Sequence, residues 1–203
     1  MPGIRLIAGL GNPGPRYQDT RHNVGARWVQ HLAARHDATL REERRFKGET
    51  GRARILGRDL WLLLPTTFMN LSGESVGALA RFYRIEPSEI LVAYDEVAFD
   101  AGMVRLKTGG GANGHNGVKS IIDHLGGNRD FHRLRIGVGR PGDASRMTGY
   151  LTGTTMPGGE REAVELALDF GETELTDLLD GQMQKFMNAV HQPTKQSTQD
   201  EGS

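Results

Sequence analysis

The sequence predicts a single three-layer α/β globule, with a mostly parallel central sheet flanked by helices. Short apolar runs alternate with stretches of helical periodicity along most of the 203 residues, and strands that alternate with helices form parallel sheets covered on both faces. The length suits one core, and no shift in composition divides it. Nothing repeats internally.

Ile4 to Leu10 reads as a buried strand closed by the turn-forming Gly11-Asn12-Pro13-Gly14. A helix follows in which Val24, Trp28 and Leu32 recur every four residues, with Asp19 or Thr20 available as its cap. Gly51 to Leu56 and Leu60 to Leu64 form a hairpin ended by Pro65. Leu71, Ala78, Leu79 and Phe82 share one helical face; Glu86-Pro87-Ser88 breaks the pattern, and Ile90 to Tyr94 is another buried strand ending at Asp95. Met103 to Lys107 is the next strand. Gly109 to Gly114 then leads into a helix marked by Val118, Ile121, Ile122 and Leu125, and His132 to Val138 is the last strand. Helical periodicity returns at Ala163, Leu166, Ala167 and Phe170, and again from Leu175 to Val190. The domain is expected to span 1–191, with a disordered polar tail over 192–203.

Composition removes several classes of chemistry. Zero cysteines exclude disulfides, thiolate nucleophiles and cysteine-based zinc sites. No apolar run nears the ~18 residues that span a bilayer, and no basic-then-apolar leader precedes the first strand, so a soluble cytoplasmic protein without a membrane partner is expected. Basic and acidic residues balance at 25 each, which leaves any nucleic-acid site to a local patch.

Three motif matches point away from the chemistry they suggest. Gly9-Leu-Gly11-Asn-Pro-Gly14 satisfies G-x-G-x-x-G, yet Pro13 removes a backbone donor from the phosphate loop and no acidic residue ends a second strand ~20 residues on. Gly109 to Gly114 satisfies the same pattern and reads better as an active-site loop feeding a helix N-terminus. Gly73-Glu-Ser75-Val-Gly77 has the letters of a nucleophile elbow, but Ser75 falls inside helical periodicity instead of at a strand-to-helix turn. No metal-binding spacing such as H-E-x-x-H is present, so no metal and no cofactor is expected.

Ligands of parallel sheets sit beyond the carboxyl ends of strands, and the loops after Leu10, Pro65, Tyr94 and Lys107 carry Asn12, Tyr17, His22, Met69, Asn70, Asp95, His115 and Asn116. Taken singly, each has an ordinary use as a turn former, helix cap, strand end or solvated side chain. Together they suit attack on an acyl group. Asp95 can orient His22 and stabilise its imidazolium, and with no cysteine and no well-placed serine the nucleophile is water. Three asparagines add donors and acceptors that match a substrate with amide character.

The strings Gly9-Leu-Gly-Asn12-Pro-Gly-Pro-Arg-Tyr17, Thr20-Arg-His22-Asn23, Pro65-Thr-Thr-Phe-Met69-Asn70-Leu-Ser-Gly73, Asp95-Glu96, Gly114-His115-Asn116-Gly117 and Phe131-His-Arg-Leu-Arg135-Ile-Gly-Val-Gly resemble the bacterial-type peptidyl-tRNA hydrolases, in order, from about Ile4 to Val190. The resemblance implies one globule around a twisted mixed sheet, monomeric and free of cofactors, that cleaves the ester joining a peptide to the 3′ ribose of tRNA. It implies His22 as general base, Asp95 as its orienting partner, and Asn116 as the amide that places water or stabilises the oxyanion. Asn12 and Asn70 would hold the peptide main chain, with Met69 and His115 beside the ester and Tyr17 next to the 3′-terminal nucleotide. Lys107 and Arg135 would grip the 5′-phosphate of the acceptor stem, within a patch including Arg105, Lys119 and Arg133. The rivals are an RNA-binding protein without hydrolysis, a nucleotide-cofactor oxidoreductase and a serine esterase.

Overall fold

A computed structural model of the chain describes residues 2–190; the tail expected over 192–203 lies outside the described residues. Among these residues seven strands form one sheet in the order β2-β3-β4-β1-β5-β7-β6. They are β1 (Leu6–Gly9), β2 (Arg41–Glu43), β3 (Gly48–Ile55), β4 (Arg58–Pro65), β5 (Ile90–Glu96), β6 (Val104–Thr108) and β7 (His132–Gly137). The middle four, β4, β1, β5 and β7, pair in parallel, and β3 and β6 run against their neighbours. Since β2 opposes β3, five strands point one way and two the other. The sheet is thus mixed at its margins and parallel at its centre.

Among the described residues six α-helices complete the layers: α1 (Val24–Arg35), α2 (Ser72–Tyr83), α3 (Asn116–His124), α4 (Gly158–Leu168), α5 (Glu172–Leu179) and α6 (Met183–Val190). Strand residues alternate between two cores, as the period of two requires. Ile7, Leu62, Leu91, Ala93 and Leu134 pack under α1 and the three C-terminal helices, and Leu6, Ala8, Leu63, Val92 and Tyr94 pack under α2 and α3.

Glycine explains how closely α1 approaches the sheet. A Cβ on Gly25 would stand 2.1 Å from the Ala93 carbonyl oxygen, and one on Gly9 would stand 2.4 Å from the Gly25 carbonyl oxygen. Gly9, which opens the first glycine pattern, therefore serves helix-on-strand packing, which brings the start of α1 against the end of β1 and the middle of β5. Ser75 lies inside α2 and is fully buried, as its periodicity predicts, and is no nucleophile elbow.

The structure departs from expectation in four places. β2 is a charged, exposed edge strand with no apolar alternation to reveal it. α1 does not start at Asp19 or Thr20: a 3-10 turn over Arg21–Asn23 comes first, and the Thr20 hydroxyl donates to the Tyr17 carbonyl without capping either. Leu71 and Phe82 are 41% and 57% exposed, so they leave the face they share with buried Leu79; Phe82 packs on Phe46 and Tyr83 instead. The C-terminal periodicity resolves into three short helices, with a left-handed Gly181 between the last two.

Replacing Gly25 with alanine is expected to destabilise the protein by about 3 kcal/mol, because backbone atoms on both sides must move apart. Urea unfolding measures this; a loss below about 1 kcal/mol would show that α1 can lift freely.

Candidate active site

The centre of the site is a carboxylate with almost no access to water. Asp95, near the end of β5, is 3% exposed and accepts hydrogen bonds from two imidazoles. His22 Nδ1 lies 2.8 Å from both carboxylate oxygens, and His115 Nε2 lies 2.9 Å from Oδ1. His22 comes from the turn that opens α1, which the Gly25 contact presses against β5. His115 comes from the opposite layer, as the N-cap of α3.

Hydrogen bonding assigns the protons. The Val118 backbone N–H donates to His115 Nδ1 at 3.3 Å, so the proton of neutral His115 sits on Nε2 and points at Asp95. His22 gives its Nδ1 proton to the same carboxylate, and its Nε2 makes no hydrogen bond among the described residues. An imidazole held this way presents a lone pair to the cleft.

Opposing forces set the charges. Burial is the largest single influence on His22 and lowers its pKa, but the charge of Asp95 and its hydrogen bond together outweigh burial, and the net direction is upward from 6.5. Burial would raise Asp95, yet the two imidazoles hold it far below the ordinary carboxylate range. The carboxylate stays ionised throughout the physiological range.

Asparagine builds the floor beside this group. The Asn12 and Asn23 segments clasp each other: the Asn12 N–H donates to Asn23 Oδ1 and Asn23 Nδ2 donates to the Asn12 carbonyl, both at 2.9 Å. The Met69 N–H then donates to Asn12 Oδ1 at 2.8 Å, which turns the amide NH2 of Asn12 outward as a donor. Asn70 and Asn116 are exposed, and neither is used as a helix cap, since His115 caps α3 and the α2 N-cap is Leu71.

A cleft of about 650 Å³ joins these groups; Asn12, His22, Met69, Asn70, Asp95, His115 and Asn116 all line it. Its far wall is Met147 to Thr152, part of which is a π-helical turn. A separate cavity of about 420 Å³ between α1 and α4 holds none of these residues. A buried carboxylate, an imidazole with a free lone pair and three amides fit water attack on an amide-bearing acyl group.

A model of the family described as peptidyl-tRNA hydrolase matches residues 6–199. The chain belongs to the peptidyl-tRNA hydrolase family. A peptidyl-tRNA hydrolase of Yersinia pseudotuberculosis serotype O:1b is 50% identical over 191 residues, covering 94% of this chain and 97% of that one. One from Tolumonas auensis is 50% identical over 188 residues, covering 93% and 95%. The crystal structure of peptidyl-tRNA hydrolase from Acinetobacter baumannii superposes with a TM-score of 0.88 at 44% identity, covering 94% of this chain and 95% of that one.

The remaining candidates of this family member lie outside the cleft lining. Tyr17 is outside its lining and meets the ring of Phe68 edge-on at 6.5 Å. Lys107 and Arg135 lie on neighbouring strands β6 and β7, where Lys107 pairs with Arg133 and Arg135 with Arg105. Paired residues share a face, so four cations crowd one side of the sheet edge, an arrangement that like-charge repulsion disfavours unless anions are near. Glu96 supplies one anion, accepting from Arg135 at 3.0 and 2.8 Å. Arg133 corrects the surface-patch expectation, being 1% exposed. Lys119 is exposed on α3, in a small pocket with Asn70 and Asn116.

Two participants were missed in the sequence. Phe68 is 56% exposed and lines the cleft; an aromatic residue in a strand-to-helix connection was the available signal. Asn23 positions Asn12, and no spacing rule reveals that contact. His22, Asp95 and His115 also hold ligand-type atoms within 4.8 Å of one another, as a metal site would. The tautomer argues for hydrogen bonding there, because His115 Nε2 carries a proton directed at the carboxylate.

Folding favours protonated His22, so its contribution to stability is complete below about pH 6.5 and is lost as pH rises through its folded value. Asp95→Asn is expected to move the His22 midpoint below 6.5, because burial then acts without an opposing charge. An NMR titration of the imidazole measures it; an unchanged midpoint would remove Asp95 as the source of the upward shift.

Proposed function

We propose that this chain hydrolyses the ester between a peptide, or an N-blocked amino acid, and the 3′ ribose of tRNA, with His22 as general base. The observation that carries this is the Nε2 of His22, unbonded among the described residues, oriented by buried Asp95 and belonging to a cleft edged by Asn12, Asn70 and Asn116. Neutral His22 takes a proton from water as the water oxygen attacks the ester carbonyl carbon. The Asn116 amide donates to the developing oxyanion. Collapse breaks the bond to the ribose oxygen, which receives the proton from His22, leaving a free peptide acid and tRNA ready for reuse. Protonated His22 is the inactive form, so activity rises with pH across the titration that weakens its stabilising contribution.

Asn12 and Asn70 hold the peptide main chain, with Met69 and His115 beside the ester. Asparagine amides bond an N-acylated amide well, whereas the ammonium of a free aminoacyl ester is strongly hydrated and gains little from them. Tyr17, with Phe68, suits stacking on the 3′-terminal nucleotide of the CCA end. Lys107 and Arg135 fit the 5′-phosphate of the acceptor stem, since the crowded cations of β6 and β7 favour an added anion. On this reading the chain acts as a cytoplasmic monomer without a metal or cofactor.

Release of an N-acetyl-aminoacyl group from tRNA, measured with EDTA present, is expected to fall by ~10² to 10⁴ in His22→Ala. Free aminoacyl-tRNA is expected to be spared. Equal rates on both substrates would sink the selectivity argument, and no wild-type turnover with tRNA binding intact would favour an RNA-binding role.

Lys107→Ala is expected to raise KM on 5′-phosphorylated tRNA by roughly tenfold while leaving kcat unchanged. An N-acetyl-aminoacyl trinucleotide without that phosphate is expected to show no difference between the two proteins. Equal effects on both substrates would remove Lys107 from phosphate recognition.

A further inference from the structure

The loop that delivers His115 and Asn116 begins at the wrong end of the sheet. β6 runs against β7, so Thr108 pairs with His132, which in turn pairs with Leu91 at the start of β5. Asp95 lies four residues further along β5, so the glycine-rich segment must travel back roughly 13 Å over the sheet. Its first anchor is the Gly109 N–H, which donates to the Phe131 carbonyl at 3.1 Å. Its last is the turn closed by the His115 N–H on the Ala112 carbonyl at 3.0 Å.

Between these anchors stands Arg133. Nη1 donates to the Gly111 carbonyl at 2.6 Å and Nη2 to the Gly110 carbonyl at 2.7 Å. The guanidinium lies over the Phe131 ring at 4.4 Å, and no carboxylate pairs with it among the described residues. Nε has no partner at all among those residues. A buried cation needs acceptors, and here the two loop carbonyls are its main ones. The left-handed backbone of Gly109 and Gly110 belongs to the same path, and a Cβ on Gly110 would stand 2.7 Å from Lys107 Nζ.

We propose that Arg133 is a positioning residue, the internal clasp that draws the 109–114 loop across the sheet and sets His115 and Asn116 beside Asp95 while holding Lys107 alongside. The proposal rests on the roles given above to Asp95 and Asn116 only for its effect on rate. The clasp itself is a matter of loop opening, which exchange measures without any substrate.

Hydrogen–deuterium exchange and steady-state kinetics on the full chain test it, with Arg133→Met to remove the donors and Arg133→Lys to keep the charge and one short-range donor. R133M is expected to exchange ~10-fold or more faster at residues 110–116 while β1 and β5 stay protected. Its kcat is expected to fall by ~10-fold or more with a smaller change in KM, and R133K to lie between R133M and wild type. Unchanged exchange at 110–116 would overturn the clasp, as would a uniform rise that includes β1 and β5. If R133M does not fold, the same two patterns in R133K decide. If the wild-type chain hydrolyses nothing, the exchange result still decides the clasp, and only the functional reading fails.

Discussion

The structure turns on one carboxylate shared by two imidazoles. Asp95 is held at 3% exposure, where an unpaired charge would be heavily penalised, and its hydrogen bonds come from elements on opposite faces of the sheet. The constraint is mutual. His22 needs the carboxylate to fix its tautomer, and the carboxylate needs both imidazoles to remain ionised in a buried site. Any displacement of α1 or of the loop before α3 removes part of that solvation.

The surrounding architecture satisfies this requirement by close approach. Gly25 lets α1 settle onto the backbone of β5, and Gly73 does the same between α2 and α3, where a Cβ would meet the Ser120 carbonyl at 2.0 Å. Gly117 leaves room for the Met69 sulfur and the Leu10 side chain. These contacts bring together loops that begin far apart in the chain. Glycine at these positions serves packing.

Polar groups at the site divide into those that are consumed and those that are kept available. The carbonyl side of Asn12, all of Asp95 and the inward nitrogens of both histidines are taken up by the protein. The NH2 of Asn12, the amides of Asn70 and Asn116 and the outer nitrogen of His22 face the cleft. The first group fixes orientation, and the second leaves donors and a lone pair open to the cleft. A preorganised arrangement of this kind needs little rearrangement when charge develops on a substrate.

Much of the fold was legible in the chain because it follows from local rules. Ile90 to Tyr94 could only be a buried strand, Val24, Trp28 and Leu32 could only share a helical face, and Ser75 was excluded as a nucleophile by its periodicity. The candidates His22, Asp95, Asn12, Asn70 and Asn116 were legible as a group, since each lies at a strand end or in the segment that follows one, and the structure brings all five to one cleft. Contacts between distant segments were not. Periodicity reports which face of an element is apolar but not its neighbour, so nothing foretold the Asn12–Asn23 clasp, the second imidazole on Asp95, or the burial of Arg133. The direction of β6 was equally hidden, because hydrophobic alternation is the same for either strand direction. Sequence alone therefore determined which residues could perform the chemistry and roughly where their elements lie. Tertiary structure decided which of them share a proton, which are buried, and which remain free for a substrate, because those properties arise only when segments tens of residues apart are packed against one another.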